Sequence, residues 1–564
     1  MFRRAMGEPA PLVRPALGCG HWDLHDGVWF RSVVPGGDET KSTNGDVLAR
    51  NPTGKFSCVV DAPARFHLDA LRWYAALSRV TGVDSSDLIV HAVSGCQSDV
   101  LDYLRKQGVV VRDVEPFDVR SPHCNKISGA LDLAATGVDG LAVLTDADVV
   151  VLEDPRGLDI PKRTVGLKAV DAAKPSLSVL EAVFDAAGLP LPPLWPVDLG
   201  PTVAGNGNGG FYLVPGEVLS IVTSAWERWA RWLLDRVELL ERWVKNVDQV
   251  AMAMALAAEG IEAHRLDPRW NLPTHRPDRI HDPLEAPAAI HYHKNVNKMG
   301  LLSHTGFDTV DKQIDVANAA ISEIWHEGFP NATFWEWRYT VDPDRGSGGG
   351  SRGKPLEEKR QLLSELIEIL RPASVLDVGC GDGEATVGLP LPQYVGLDLS
   401  PEAIRRAQSG RPDGDYRVGT LADHSVAADL TICLDVLIHQ ADASRYRAFV
   451  EGLVKSATLA LVVSGYEAAP ATNSPMVHFH EPLSKTLMEF APGVELYPLR
   501  ENHGMTTFIL MWGDSPPDIG PMVLRRKSET ERTPRLPRSM PSARSWLGAA
   551  ARKTVRRPRK ESAS

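Results

Sequence analysis

From Ser374 to Glu384 the chain reads Ser-Val-Leu-Asp-Val-Gly-Cys-Gly-Asp-Gly-Glu, and no other stretch restricts the fold as tightly. Val375, Leu376 and Val378 fit a buried strand. The glycines at 379, 381 and 383 demand a tight turn in which backbone can approach a bound molecule. A second apolar run, Tyr394-Val-Gly-Leu-Asp398, ends in a carboxylate that can accept hydrogen bonds from both hydroxyls of a ribose. The dinucleotide fingerprint needs G-x-G-x-x-G, and the spacing here is G-x-G-x-G.

Strand–helix alternation surrounds this run. An amphipathic helix is expected over Leu356–Leu370. Strands follow at Ser374–Val378, Tyr394–Asp398, Asp429–Leu434, Leu459–Ser464 and Thr506–Met511. Ser400-Pro401-Glu402 supplies an N-cap hydroxyl and a first-turn proline for the helix after Asp398. Only about ten residues separate the glycine loop from the second strand, so the helix between them is expected to be short. The same alternation occupies the first half, with apolar runs at Ser57–Val60, Leu88–Val93, Val109–Arg112 and Leu141–Leu144. Helical periods intervene at Leu68–Val80 and Asp99–Gln107. Val218–Glu259 reads as one helix whose Trp226, Trp229, Leu233, Val237 and Leu240 form a core-packing stripe.

The fold class is therefore α/β, with two Rossmann-like domains. Residues 342–355, rich in Gly and Ser, read as a flexible linker. The expected parts are a first domain at 1–341, a second at 356–515, and a basic, mostly disordered tail at 516–564. In the tail, Ser545–Lys553 has the pattern of a short basic helix suited to peripheral contact with an anionic membrane. A solvated tail is the equal alternative.

A net charge of -11 argues against coating nucleic acid, and no nucleic-acid partner is expected. No apolar run is long enough to span a bilayer, and no secretory pattern follows Met1. The six cysteines are scattered without a C-x-x-C pair, as reduced thiols are. A cytoplasmic location is the default expectation, with peripheral placement at the inner face of the plasma membrane if the tail docks. Cys19, His21 and His25 lack a fourth ligand at zinc spacing and are set aside.

In the first half, Leu141–Thr145 delivers Asp146 and Asp148 to a strand's carboxyl end, where open α/β sheets bind ligands. Two hard oxygen donors one residue apart suit Mg²⁺ or Mn²⁺ shared with a diphosphate. Taken alone, such a pair fits solvated turn residues equally well. Four other segments accompany it in order: Cys124-Asn125-Lys126-Ile127, Asn208-Gly209-Gly210-Phe211-Tyr212, Asp248-Gln249 and Ile290-His291-Tyr292-His293-Lys294. From about Phe56 to Met299 this half resembles GT-A type glycosyltransferases of the glycogenin-like group. The resemblance implies a nucleotide-sugar donor and a divalent cation on Asp146, Asp148 and a late histidine, His291 or His293, with His291 preferred. It implies substrate contacts from Asn125, Lys126, Gly209, Gly210, Asp248, Gln249 and Lys298, with Lys126 also placed among the catalytic residues. Asp61 faces the nucleotide base or caps a helix, and Asp248 has the same helix-cap alternative. Arg65 and Arg269 are candidate phosphate contacts. The family's glycine and Lys-Pro-Trp after the histidine are missing here, which leaves open whether anomeric configuration is retained.

The glycine-loop run resembles the first motif of class I S-adenosylmethionine-dependent methyltransferases. This similarity extends from about Leu356 to Gly513. It implies S-adenosyl-L-methionine as cofactor, with Asp377 and Gly379 lining its methionine end, Gly381 and Gly383 also among the cofactor-binding residues, and Asp398 on its ribose. Leu421 and Asp423 would lie by the adenine. Asp435, at the end of Asp429–His439, borders the transferable methyl group and orients the acceptor or caps a turn. His439, His478 and His480 are candidate bases, with His439 best placed and a structural histidine as the bland alternative. The combined expectation is a bifunctional transferase that adds a sugar and then methylates a hydroxyl of a glycan, glycolipid or small-molecule acceptor. Two alternatives stand beside it: a methyltransferase whose first half only grips a sugar nucleotide or glycan, and a membrane-docked scaffold with degenerate sites.

Overall fold

The computed structural model describes residues 53–523, apart from 276–284, 473, 503 and 514–516, together with the backbone of two short strands near the start. The Cys19/His21/His25 group and the basic tail beyond 523 lie outside the described residues. Two compact units are present, 1–51 and 52–564. In the first, β1 (Trp22–His25) pairs antiparallel with β2 (Val28–Arg31).

The second unit holds two seven-stranded sheets. In its first half β3 (Gly54–Val60), β4 (Leu88–Val93), β5 (Val110–Val114) and β6 (Leu141–Thr145) run parallel. Helices α1 (Ala64–Ala75), α2 (Asp99–Lys106) and α3 (Asn125–Thr136) connect them. β7 (Val149–Val151) leaves the sheet, and β8 (Thr164–Ala169) rejoins it. After α4 (Leu177–Ala186) and a hairpin of β9 (Leu194–Val197) and β10 (Gly200–Val203), β11 (Gly207–Pro215) inserts between β6 and β8, antiparallel to both. β12 (Glu262–Arg265) completes the order β12-β8-β11-β6-β3-β4-β5. A three-stranded sheet of β13 (Trp270–Pro273), β14 (Ala289–His291) and β7 sits beside it.

The single helix expected over 218–259 is instead two. α5 (Gly216–Leu234) ends, a 3-10 stretch with a positive φ at Glu241 turns the chain, and α6 (Val247–Glu259) follows. The apolar stripe continues through the break because both helices bury it, so periodicity alone does not mark the turn. Trp226 is fully buried, in keeping with a core stripe, and its indole N–H donates to the Asp248 carbonyl at 2.7 Å. α7 (Asp308–Gly328) and α8 (Asn331–Val341) close this half.

The second half begins with α9 (Gly353–Leu370), one turn longer than expected. β15 (Val375–Val378), β16 (Tyr394–Asp398), β17 (Asp415–Val418), β18 (Ala428–Cys433) and β19 (Ala457–Tyr466) are parallel. β20 (Leu496–Asn502) and β21 (Met505–Met511) pair antiparallel at one edge, giving β17-β16-β15-β18-β19-β21-β20. α10 (Pro401–Gly410), α11 (Ala443–Ser456) and α12 (Leu483–Phe490) cover it with α9. Both faces are buried: Leu461 and Val463 enter one core while Ala460 and Val462 enter the other. Ser400 caps α10 as expected, its hydroxyl accepting from the Ala403 N–H at 3.0 Å. The short helix expected after the glycine loop is absent among the described residues, and turns fill 384–393.

Residues 342–355, expected as a free tether, are packed. Ser347 Oγ donates to Asp382 Oδ1 at 2.9 Å, Arg352 forms an ion pair with Asp382, and α9 already starts at Gly353. Glycine and serine serve here as close-packing residues, a use that composition does not distinguish from flexibility. The halves also share core, since Met476 joins the apolar cluster of the first half.

Candidate functional sites

In the first half, Asp61, Asn125, Lys126, Asp146, Asp148, Gly209, Gly210, Asp248, Gln249, His291 and Lys298 all line one cavity of 1950 Å³. The sheet explains the gathering. Asp146 and Asp148 occupy the turn between β6 and β7, and the Asp146 N–H is tied to the Gly210 carbonyl at 3.0 Å. β14 pairs antiparallel with β7, which sets His291 opposite Val149 and against that turn. His291 Nε2 stands 3.1 Å from Asp148 Oδ1 and 4.0 Å from Asp146 Oδ2. Its Nδ1 lies 3.1 Å from Asn271 Oδ1, so an Nδ1–H donated to that oxygen leaves Nε2 facing the carboxylates.

Lys126, in the first turn of α3, reaches Asp146 Oδ1 at 2.6 Å, Asp248 Oδ2 at 3.3 Å and the Gly209 carbonyl at 3.0 Å. Burial works against its charge, but the two carboxylates outweigh that and raise its pKa. Burial likewise raises Asp248, with Lys126 pulling the other way. Burial opposes ionisation of Asp148, yet His291 beside it holds the group at about 2. Gly209 and Gly210 are small of necessity. A β-carbon on Gly210 would lie 2.5 Å from His291 Cε1, and one on Gly209 would lie 2.8 Å from Asp248 Oδ2.

The helix-cap alternatives are not realised. Asp61 accepts from Asn125 Nδ2 at 2.7 Å while Pro63 occupies the N-cap of α1, and Asp248 lies inside α6. Arg65 lines the cavity, whereas Arg269 lies outside its lining, engaged with Glu153 and the Ala286 carbonyl. Sequence reasoning missed Asn271 and His275. Asn271 carries no motif signal and acts only by holding His291. His293 stacks on His291 at 3.7 Å, and His275 meets His293 edge-on at 4.1 Å. Asp148, His291 and His293 each place a ligand atom within 4.8 Å of the others.

In the second half the glycine loop adopts the backbone its residues imply. Gly379, Gly381 and Gly383 all have positive φ, at 75°, 56° and 75°. Asp398 accepts from the Gly381 N–H at 3.0 Å and the Ser400 N–H at 2.9 Å, so loop and second strand are locked together. Asp377 accepts from the Tyr394 hydroxyl at 2.9 Å. Burial lifts both carboxyls to about 6 against these hydrogen bonds.

Asp435 has a positive φ of 62° and is held by Ser464 and by Lys359, whose Nζ is 2.7 Å away. His439 Nδ1 lies 2.7 Å from the Met476 carbonyl, and burial lowers its pKa. His478 is lowered to about 4 by burial, and His480 Nε2 bonds the Gln440 carbonyl at 2.8 Å. Leu421 packs beside the core, and Asp423 is exposed, bonding its own turn at Thr420. Lys359 and Ser464 were not foreseen, because neither sits in a recognisable motif.

A family model described as a methyltransferase domain matches residues 376–459. That span contains the glycine loop, Asp398, Asp435 and His439, and it supports an S-adenosylmethionine-dependent methyltransferase in the second half. Among solved structures, the N-methyltransferase NodS from Bradyrhizobium japonicum WM9, in complex with S-adenosyl-L-homocysteine, is similar at 17% identity. That likeness covers 32% of this chain and 98% of NodS, with a TM-score of 0.27. The magnesium protoporphyrin IX methyltransferase of Synechocystis PCC 6803 with bound S-adenosylmethionine is similar at 20% identity, covering 34% of this chain and 94% of its own, with a TM-score of 0.24. Among the described residues no helix is long and apolar enough to cross a membrane.

Proposed function

We propose that the chain is a bifunctional transferase that moves a sugar from a nucleotide-sugar donor and a methyl group from S-adenosylmethionine to a hydroxyl of a glycan, glycolipid or small molecule. The observation that carries the first activity is the convergence of Lys126, Asp146, Asp148, Asp248 and His291 on one cavity. The donor set of carboxylates and imidazole fits Mn²⁺ or Mg²⁺, to be held by Asp146, Asp148 and His291 with His293 adjacent. When bound, such an ion supplies neutralisation of charge on a leaving nucleoside diphosphate. Lys126 adds a fixed positive charge at the same place. Gly209 and Gly210 leave room for a substrate against β11.

In the second half the glycine loop and Asp398, at the ribose, would hold S-adenosylmethionine, which would supply the methyl group. The acceptor hydroxyl gives its proton to Nε2 of His439 as its oxygen attacks the methyl carbon. Transfer would leave a methyl ether and S-adenosylhomocysteine, the electron pair of the carbon–sulfur bond going to sulfur. A panel of nucleotide sugars with Mn²⁺, scored for turnover, tests the first activity. Methyl transfer from labelled S-adenosylmethionine to the resulting product tests the second. No turnover with any nucleotide sugar, beside intact methyl transfer, would reduce the chain to a single-activity methyltransferase.

A further inference from the structure

Helix α8 divides its side chains between the two halves. Trp337, Arg338 and Val341 line the first cavity. Trp335, Glu336 and Tyr339 meet the second half. Both sets have the spacing i, i+1, i+4 and differ by two residues, which at roughly 100° per residue sets them on opposite helix faces.

The contacts on the second face fall around the cofactor loop. The Trp335 ring lies 5.0 Å from that of His439. Glu336 Oε2 accepts from Ser400 Oγ at 2.6 Å and from the Glu402 N–H at 3.0 Å, just beyond Asp398. The Tyr339 hydroxyl and Ser347 Oγ are 2.7 Å apart, and a β-carbon on Gly381 would lie 2.6 Å from the first and 2.4 Å from the second. The helix is also anchored in the first half. Asp99, in the first turn of α2, accepts from the Ala332 N–H at 2.9 Å, and Arg338 reaches the Lys298 carbonyl at 3.3 Å. Arg338 Nε is buried without a hydrogen-bond partner.

We infer that α8, with the strap that follows it to Arg352, is a wall shared by both sites and links their occupancy. The inference rests on the cofactor reading of the second site. A cofactor lying on the glycine loop meets Tyr339 and Ser347, which already cover Gly381. Accommodating it moves the helix that carries Trp337 and Arg338, so binding in one half changes affinity in the other, reciprocally.

The test uses the full chain and S-adenosylhomocysteine alone. Its affinity is measured by calorimetry and its footprint by hydrogen–deuterium exchange. The expected footprint extends beyond the glycine loop to 331–341 and to 294–300 in the first cavity. Glu336→Gln, which loosens the tie to Ser400 and Glu402, and Tyr339→Phe, which removes the hydroxyl over Gly381, are each expected to change the affinity about fivefold or more, a shift of the size of ordinary site-to-site couplings. Binding with protection confined to 374–440, and unchanged affinity in both variants, overturns the shared wall and leaves the methyltransferase reading standing. Absence of binding overturns both. Protection of α8 in a chain that turns over no nucleotide sugar upholds the wall and removes only the sugar-transfer reading.

Discussion

The Nδ1–H of His439 donates to the carbonyl of Met476 at 2.7 Å. A carbonyl can only accept, so this bond fixes the tautomer and leaves Nε2 as a lone-pair site. Burial lowers the pKa, which keeps the imidazole neutral at pH 7 and able to take a proton.

His439→Gln is accordingly expected to lower kcat for methyl transfer by about 10²–10⁴, the usual range for a lost general base, with S-adenosylhomocysteine affinity unchanged. In the native protein the rate falls as pH drops below the lowered histidine value, because protonation consumes the lone pair. The variant should lack that acid limb. A full-speed variant with an unaltered pH profile would make His439 a structural residue.

Lys126 is shared by two carboxylates, one of them, Asp248, only 5% exposed. Lys126→Met leaves Asp248 buried beside Asp146 with no cation, and breaking such a buried pair costs about 3–5 kcal/mol. Chemical denaturation should show that loss. Adding Asp248→Asn should restore part of it, since the second change removes the stranded charge. Strictly additive losses would mean the two residues do not interact.

The sequence carried most of the first site because its residues lie at strand ends in chain order, where the α/β sheet gathers them. Asp61, Lys126, Asp146, Gly210 and Asp248 meet through β3, β6, β11 and the starts of α3 and α6. What escaped reading depends on tertiary approach. The Glu241 turn between α5 and α6 is hidden by an unbroken apolar stripe. Ser347 and Gly346 looked like linker, yet they press on Asp382 of the glycine loop. Asn271 and Lys359 act on residues 20 and more positions away.

The raised carboxyls of the glycine-loop domain give a pH dependence with a definite sign. Burial penalises the charge of Asp377 and Asp398 and pushes both up to about 6, above the ordinary carboxylate value. Ribose hydroxyls donate to the ionised form of Asp398, so cofactor binding below this pH must first expel a proton. S-adenosylhomocysteine affinity is expected to hold level above about pH 6 and to fall roughly tenfold per unit below it for one such group. Stability of the domain itself is expected to follow the opposite trend: each raised carboxyl adds stability as pH falls from 6 toward the unfolded value. Calorimetry against pH checks the first, and denaturation midpoints check the second.

The two chemistries should part under chelation and point change. A departing nucleoside diphosphate concentrates negative charge, whereas methyl transfer from a sulfonium discharges a cation and has no comparable need of a metal. EDTA or Asp148→Ala should therefore abolish sugar transfer and leave S-adenosylhomocysteine binding intact. Asp398→Ala should stop methylation while sugar transfer persists, because it removes the ribose acceptor and the tie to the Gly381 N–H together. Gly381→Val should act in the same direction by two routes. Its φ of 56° disfavours a β-branched residue, and its β-carbon would press on Ser347 Oγ and Tyr339. Since Tyr339 belongs to α8, this variant should also disturb the first site slightly, where Asp398→Ala does not. Binding must be measured alongside turnover for every variant. Full sugar transfer by Asp148→Ala in Mn²⁺ would sink the assignment of the first site, which rests on Asp148 at 3.1 Å from the His291 imidazole with Asp146 at 4.0 Å.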